Sequence, residues 1–349
     1  ALCSDNLPDP AIDPAADENP TDYFANKIYS GNGTTQSITG VGFEPDWVWI
    51  KDRDATANHV LVDRVRGVSE LLYSNSPVTA VPGASQISSF DSDGFSLGAA
   101  TYVNETGTNR YISWNWKAGG TAVSNGNGSI TSSVSANTEA GFSVVGYTGT
   151  GSSFTVGHGL SSAPEVVIIK DRDSNVNWIV YHKDYASSQH IQKLNLADEQ
   201  QDAGGGYALT RGSSTLGILT GAGINKDGSD HLAYCLHSVE GYSKFGSYTG
   251  NNSSDGPFVY TGFRPAWLLI KRTDVSSDWV LVDTARDPFN DFANFLYPNL
   301  DNSEDTDAAT EYYDALSNGF KLRYNWTAIN ASNGTYIYMA FAEQPFKYA

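Results

Sequence analysis

The sequence predicts an all-β protein made of three tandem, related, sandwich-like units of about 100 residues each. Three observations carry this expectation. A Tyr–Pro–Lys pattern recurs three times in near-constant register, short segments alternate apolar and polar residues at period two, and no stretch of a dozen residues keeps a helical period.

The first copy reads Tyr29-Ser30-Gly31, then Gly42-Phe43-Glu44-Pro45-Asp46-Trp47, then Ile50-Lys51. The second reads Tyr147-Thr148-Gly149, Ala163-Pro164 and Ile169-Lys170. The third reads Tyr248-Thr249-Gly250, Gly262-Phe263-Arg264-Pro265-Ala266-Trp267 and Ile270-Lys271. Tyr and Lys stand twenty-two, twenty-three and twenty-three residues apart, and twelve residues after each Lys come Asp63, His182 and Asp283. The segment that ends at each Lys is apolar at consecutive positions, as in Trp47 to Ile50, Val166 to Ile169 and Trp267 to Ile270. Such a strand is covered on both faces and sits centrally in its sheet. Each copy closes with an Asn/Gly turn, at Asn104 with Gly107, Asn225 with Gly228 and Asn330 with Gly334, because these residues tolerate positive φ. A strand follows each turn, with inward sets Ile112/Trp114/Trp116, Leu232/Tyr234/Leu236 and Ile337/Met339/Phe341.

These signals divide the chain into an acidic, Pro-rich linker over 1–22, a β unit over 23–120, a Ser/Asn/Gly/Thr-rich connector over 121–140, and β units over 141–243 and 244–349. The linker is read from Leu7-Pro8-Asp9-Pro10 and Asp13-Pro14. The second and third units join tightly through Glu240 to Gly246, and both a compact threefold body and separate beads fit the pattern.

Composition narrows the function. The 349 residues carry 21 Lys+Arg against 39 Asp+Glu, a net charge of −18, which repels phosphate backbones and anionic membranes. Neither nucleic-acid binding nor membrane insertion is expected, and the longest apolar runs are only strand-sized. The 15 Phe, 20 Tyr and 8 Trp supply ample area for a core, which argues against disorder. Cys3 and Cys235 are read as free thiols. The opening residues have no secretory pattern, and the start at Ala1 suggests a fragment or processed chain.

Several phrases carry a resemblance: Ser113-Trp114-Asn115-Trp116-Lys117-Ala118-Gly119-Gly120, Gly241-Tyr242-Ser243-Lys244-Phe245-Gly246-Ser247-Tyr248-Thr249-Gly250, Thr261 to Trp267, and Tyr336 to Glu343. From about Leu7 to Lys347 the chain resembles a repeat domain of unknown function in virion-associated and tail-fibre-like proteins of marine bacteriophages. In such proteins the block often follows a concanavalin-like or SPRY-like sandwich. The resemblance implies a virion part on the outward-facing surface, in contact with other virion proteins, and it implies no catalytic residues.

Shared residues are read first as scaffold. Lys51, Lys170 and Lys271 end buried strands, and a structural ion pair to the acid twelve residues on is expected, since Lys is rarely buried unpaired. Asp63 with Arg66 and Asp283 with Arg286 are expected to pin turns, contributing about 0–1 kcal/mol each if exposed. His231, Cys235 and His237 share a strand face but lack a fourth ligand, so zinc is not expected. Asp91-Ser92-Asp93-Gly94 and Asn225 to Asp230 resemble calcium loops, although turns held by their own Asp side chains explain both. No cofactor is expected, with calcium the one alternative. Nucleophile-elbow, zinc-protease, phosphate-loop and dinucleotide motifs are absent from the sequence.

The third copy carries a long loop of its own, Pro288 to Asp314, where aromatics alternate with acids. Phe292, Tyr297, Asp305, Glu311, Tyr312 and Tyr313 are the candidate ligand residues, because rings stack on sugar C–H faces while carboxylates accept sugar hydroxyls. The bland alternative is that these rings plug the sandwich edge. The expected function is a non-enzymatic virion surface protein that presents loops to a host-surface glycan. It is expected as a homo-oligomer, a trimer by preference, since multivalency converts weak sites into strong attachment. A purely structural decoration or fibre shaft and a glycan depolymerase are the alternatives.

Overall fold

The computed structural model describes residues 7–83, 86–99, 101–107, 109–221, 223–306 and 312–348. Strands dominate, and the two described α-helices, Thr101–Asn104 and Thr327–Asn330, are single turns. No described helix is long and apolar enough to cross a membrane.

Three large antiparallel sheets organise the chain. The first runs, in spatial order, Phe24–Ser30, Arg110–Trp116, Trp47–Asp52, Val60–Asp63, Gly67–Tyr73 and Val81–Pro82. The second has eight strands, with Phe142–Thr148, Asp230–Leu236, Val166–Asp171 and Ile179–His182 in its middle. The third has Ser243–Thr249, Thr335–Pro345, Phe263–Arg272 and Trp279–Asp283. The Lys-ending strand of each is flanked on both sides and buried, as consecutive apolar residues require.

Each large sheet faces a three-stranded one. Ile38, Phe95 and Ile87 of the first small sheet share a core with Val48, Ile50 and Val60. Phe154, Leu216 and Leu209 pack with Val167 and Ile169, and Val259, Phe320 and Tyr313 with Leu268 and Ile270. The opposite faces of all three large sheets meet in one central core. There Trp47 stacks on Trp116 and on Tyr234, each with centroids 4.2 Å apart, and Trp116 meets Trp267 edge-on at 5.7 Å. Each such pair contributes about 0.5–1.5 kcal/mol beyond its buried area. Because this core draws on all three sheets, the chain forms one body and not separate beads.

Local chemistry repeats at the turns. The phenol of Tyr29 stacks on Tyr111, Tyr147 on His231 and Tyr248 on Tyr336, at 5.1, 5.1 and 4.9 Å. Their hydroxyls donate to the Val103, Ile224 and Ile329 carbonyls. Next to each acceptor lies a buried Asn. Asn225 accepts from the Thr150 and Gly151 amides and donates to the Ser152 and Leu219 carbonyls, so its amide is fully used.

Two connecting segments differ from expectation. The described part of 1–22 is docked and not a free linker. Ile12 is 1% exposed in the central core, the Ala11 amide donates to the Glu240 carbonyl, and Lys347 and Tyr348 bond Asp9 and Asp13. One apolar side chain inside a polar stretch provides the anchor. The 121–140 connector folds into a hairpin, Val123–Asn125 with Ser132–Asn137, which adds to the edge strand Phe142–Thr148.

Candidate functional site

The three lysines do not pair with the acids twelve residues on. Lys51 Nζ donates to the Asp52, Ala55 and Asp301 carbonyls at 2.7, 3.3 and 3.3 Å. Lys170 Nζ donates to the carbonyls of Asp171, Ser174 and Pro77, and Lys271 Nζ to those of Arg272, Ser277 and Ala197. No described ion pair joins any of them to Asp63 or Asp283. The physical reason is that three carbonyl oxygens satisfy the three ammonium protons without a second desolvated charge. In each cage two acceptors are local and one comes from a distant segment: Asp301, Pro77 or Ala197. These bonds tie the third sheet pair to the first, the first to the second and the second to the third. Burial pulls each of these lysines down to about 8.

Asp63 and Asp283 serve Arg66 and Arg286 instead, with Nε to Oδ2 at 2.6 Å in both pairs and all four side chains fully buried. Each aspartate also accepts from the amides two and three residues on, so the pair pins its turn, and because it is buried the small contribution of an exposed pair does not apply. A buried pair is costly to break, because the orphaned charge has no water. Tyr234 and Trp114 complete the arrangement by donating to Asp63 and Asp283 from other sheets. Twelve residues after Lys170 stands His182 instead of an acid, and the position three residues on is Tyr185, which donates to Gln192. His182 is neutral there, pushed down to about 3 by burial.

The sequence reading missed Glu304. Its carboxylate takes a forked pair from Arg53, at 2.7 and 2.8 Å, and a third bond from Arg286 at 3.0 Å. The signal was the recurrence of Lys-Asp-Arg-Asp at 51–54 and 170–173, since Arg172 likewise reaches across to Glu70.

The candidate ligand loop splits in two. Phe292 and Tyr313 are core, 1% and 0% exposed, with centroids 5.4 Å apart. As ligand residues they are corrected, because each is enclosed in the third sandwich. Tyr297 is partly buried and donates to the exposed Asp305 at 2.9 Å. Tyr312 meets Phe295, Tyr324 and Trp326 edge-on at 4.6, 5.2 and 5.5 Å. Tyr297 and Tyr312 thus lie in an aromatic patch beside acids, at the surface of the third core. Glu311 lies outside the described residues.

The remaining metal candidates resolve into structure. His231 takes the stacking place of a Tyr, and Cys235 is enclosed in the second core, its thiol pushed up to about 12 by burial. Asp93 accepts from the Gly40 and Gly42 amides, and Asp91 from Ser89 and Ser96. Among the described residues, no group of three His, Cys, Asp or Glu is placed to hold a metal.

Fold and side-chain geometry define an all-β protein whose buried charges join sheets to one another. The model of DUF7483, a domain of unknown function, matches residues 19–345, and the chain belongs to that family. No curated protein matches it.

Proposed function

We propose that the chain is a non-enzymatic virion surface protein, built from three repeated β units, that presents loops to a host-surface glycan. The repetition is supported by the common strand order of the large sheets, the three Tyr stacks and the three lysine cages. In this reading the units span 23–120, 141–243 and 244–349 and close a ring within one chain. The observation that carries the ligand role is the patch of Tyr297, Tyr312, Tyr324 and Trp326 beside Asp305. Rings in that setting suit sugar C–H faces, and the carboxylate suits sugar hydroxyls.

The virion context comes from the phrase resemblance, and other virion proteins and further copies of the chain, as a trimer, are its partners in this reading. Adsorption of labelled protein to host cells tests it: Tyr297→Ala, Tyr312→Ala and Tyr324→Ala together should weaken adsorption at least tenfold. Unchanged adsorption would sink the ligand role. Light scattering tests the trimer, since a mass near 37.6 kDa at micromolar concentration counts against it. The burial of Phe292 and Tyr313 favours a second reading, a structural decoration whose loop aromatics only seal the third core.

A further inference from the structure

We propose that a groove between the first and second sheet pairs binds a neutral, polyhydroxylated ligand, one or two sugar rings of a glycan chain. The proposal rests on the glycan reading above and gives it a second, separate site. The groove has a volume of about 420 Å³ and lies where the 123–137 hairpin extends the second sheet past the first.

Its floor is shaped by a glycine. Gly146 pairs with Ser133, and a Cβ at Gly146 would come within 2.9 Å of Val65 Cγ1, so only glycine lets the two sheets approach here. Neighbouring strands stand about 4.8 Å apart, and side chains on alternate residues share a face. One rung of that face carries Ser124 and Ser133, which pair with each other, and Ser133 pairs on its other side with Gly146. The next carries Thr148 and Asp230, also paired, with Arg172 beyond them, whose backbone N–H donates to the Asp230 carbonyl. Thr131, two residues before Ser133, completes the hydroxyl row.

Two groups are poised for a ligand. Asp230 is exposed and spends one oxygen, Oδ1, on the Thr148 hydroxyl at 2.9 Å, which leaves Oδ2 as an acceptor. Arg172 gives Nη2 to Glu70, while its buried Nε–H has no hydrogen-bond partner among the described residues. Arg172 lines the groove with its guanidinium held by Glu70, which fixes a donor surface for a ligand hydroxyl oxygen. Adjacent sugar hydroxyls can donate to Asp230 and accept from Arg172 or from the Ser and Thr row. A polyanion is disfavoured by the chain's net charge of −18, and Val65 is the one aliphatic side chain among the described residues lining the groove, which does not suit an apolar ligand.

Saturation-transfer NMR on the full chain tests this with maltotriose, cellotriose, laminaritriose and chitotriose, each at about 5 mM, which reveals sites down to millimolar Kd. At least one trisaccharide should show transfer that falls at least tenfold in Asp230→Asn and disappears in Ser133→Trp, which fills the groove. Thr131→Trp does the same job should Ser133→Trp fail to fold. Tyr324→Ala, in the third-unit patch, should leave this transfer intact. No transfer from any of the four, or transfer in the Tyr324→Ala background that survives a groove-filling variant for every trisaccharide, overturns the proposal. Transfer lost only in Tyr324→Ala overturns the groove and leaves the glycan reading standing. Loss of both transfer and host-cell adsorption in the wild-type chain sinks the reading itself.

Discussion

The Tyr234 hydroxyl donates to Asp63 Oδ2 at 3.0 Å, across 171 residues of sequence. Asp63 is at the same time the partner of Arg66, so one buried carboxylate serves a local turn and a distant sheet. Trp114 and Asp283 make the matching contact, again at 3.0 Å. At the third place His182 replaces the acid, Tyr185 the arginine, and Met339 the donor strand residue. There neither the buried charge nor its partners is present, consistent with a buried polar group without its complement being worse than none.

That pattern predicts a compensated substitution. Asp63→Ala leaves Arg66 buried and unpaired and should cost about 3–5 kcal/mol in urea unfolding. Asp63→His with Arg66→Tyr and Tyr234→Met copies the chain's own second arrangement and should cost less than Asp63→Ala alone. A triple variant less stable than the single one would show that the two arrangements are not interchangeable.

The lysine cages predict both stability and reactivity. Lys51→Met strands buried carbonyls and should destabilise by about 1–3 kcal/mol for each acceptor that water cannot reach. Lys51→Arg should not rescue it, because a planar fork does not match three converging oxygens. In native protein, mass spectrometry after acetic anhydride treatment should find Lys51, Lys170 and Lys271 modified last. Early acetylation of these three would contradict their burial.

Acid should destabilise the chain progressively below pH 6.5. Burial holds His59 well below its ordinary 6.5 and pushes His182 down to about 3. Below pH 6.5 the unfolded chain binds protons that the folded one refuses, so the stability present above pH 6.5 falls as pH drops. The loss reaches about 2 kcal/mol per histidine by pH 5. Urea midpoints measured at pH 7 and pH 5 check this, and an unchanged midpoint would refute it.

Cys235 should be chemically silent. Its thiol is fully buried and pushed up to about 12, so almost no thiolate forms at neutral pH. In a Cys3→Ser background, a disulfide reagent should react with Cys235 only after unfolding. Prompt reaction of native protein would mean that the second core opens readily.

What the sequence determined by itself was local and periodic. The all-β class followed from period-two alternation, and the central place of Trp47 to Lys51 followed from apolar residues at consecutive positions. The stacking role of His231 was within reach, since it aligns with Tyr111 and Tyr336. Tertiary structure alone decided what meets what across the chain. Lys51 and Asp63 stand in fixed register, yet the ammonium turned to carbonyls, because a lysine at a strand end reaches the next loop and a neighbouring sheet together. The core places of Phe292 and Tyr313, and the bridge from Glu304 to Arg53 and Arg286, depend on contacts between segments far apart in sequence. Such contacts leave no periodicity to read, since burial is set by the whole packed body and not by any one strand.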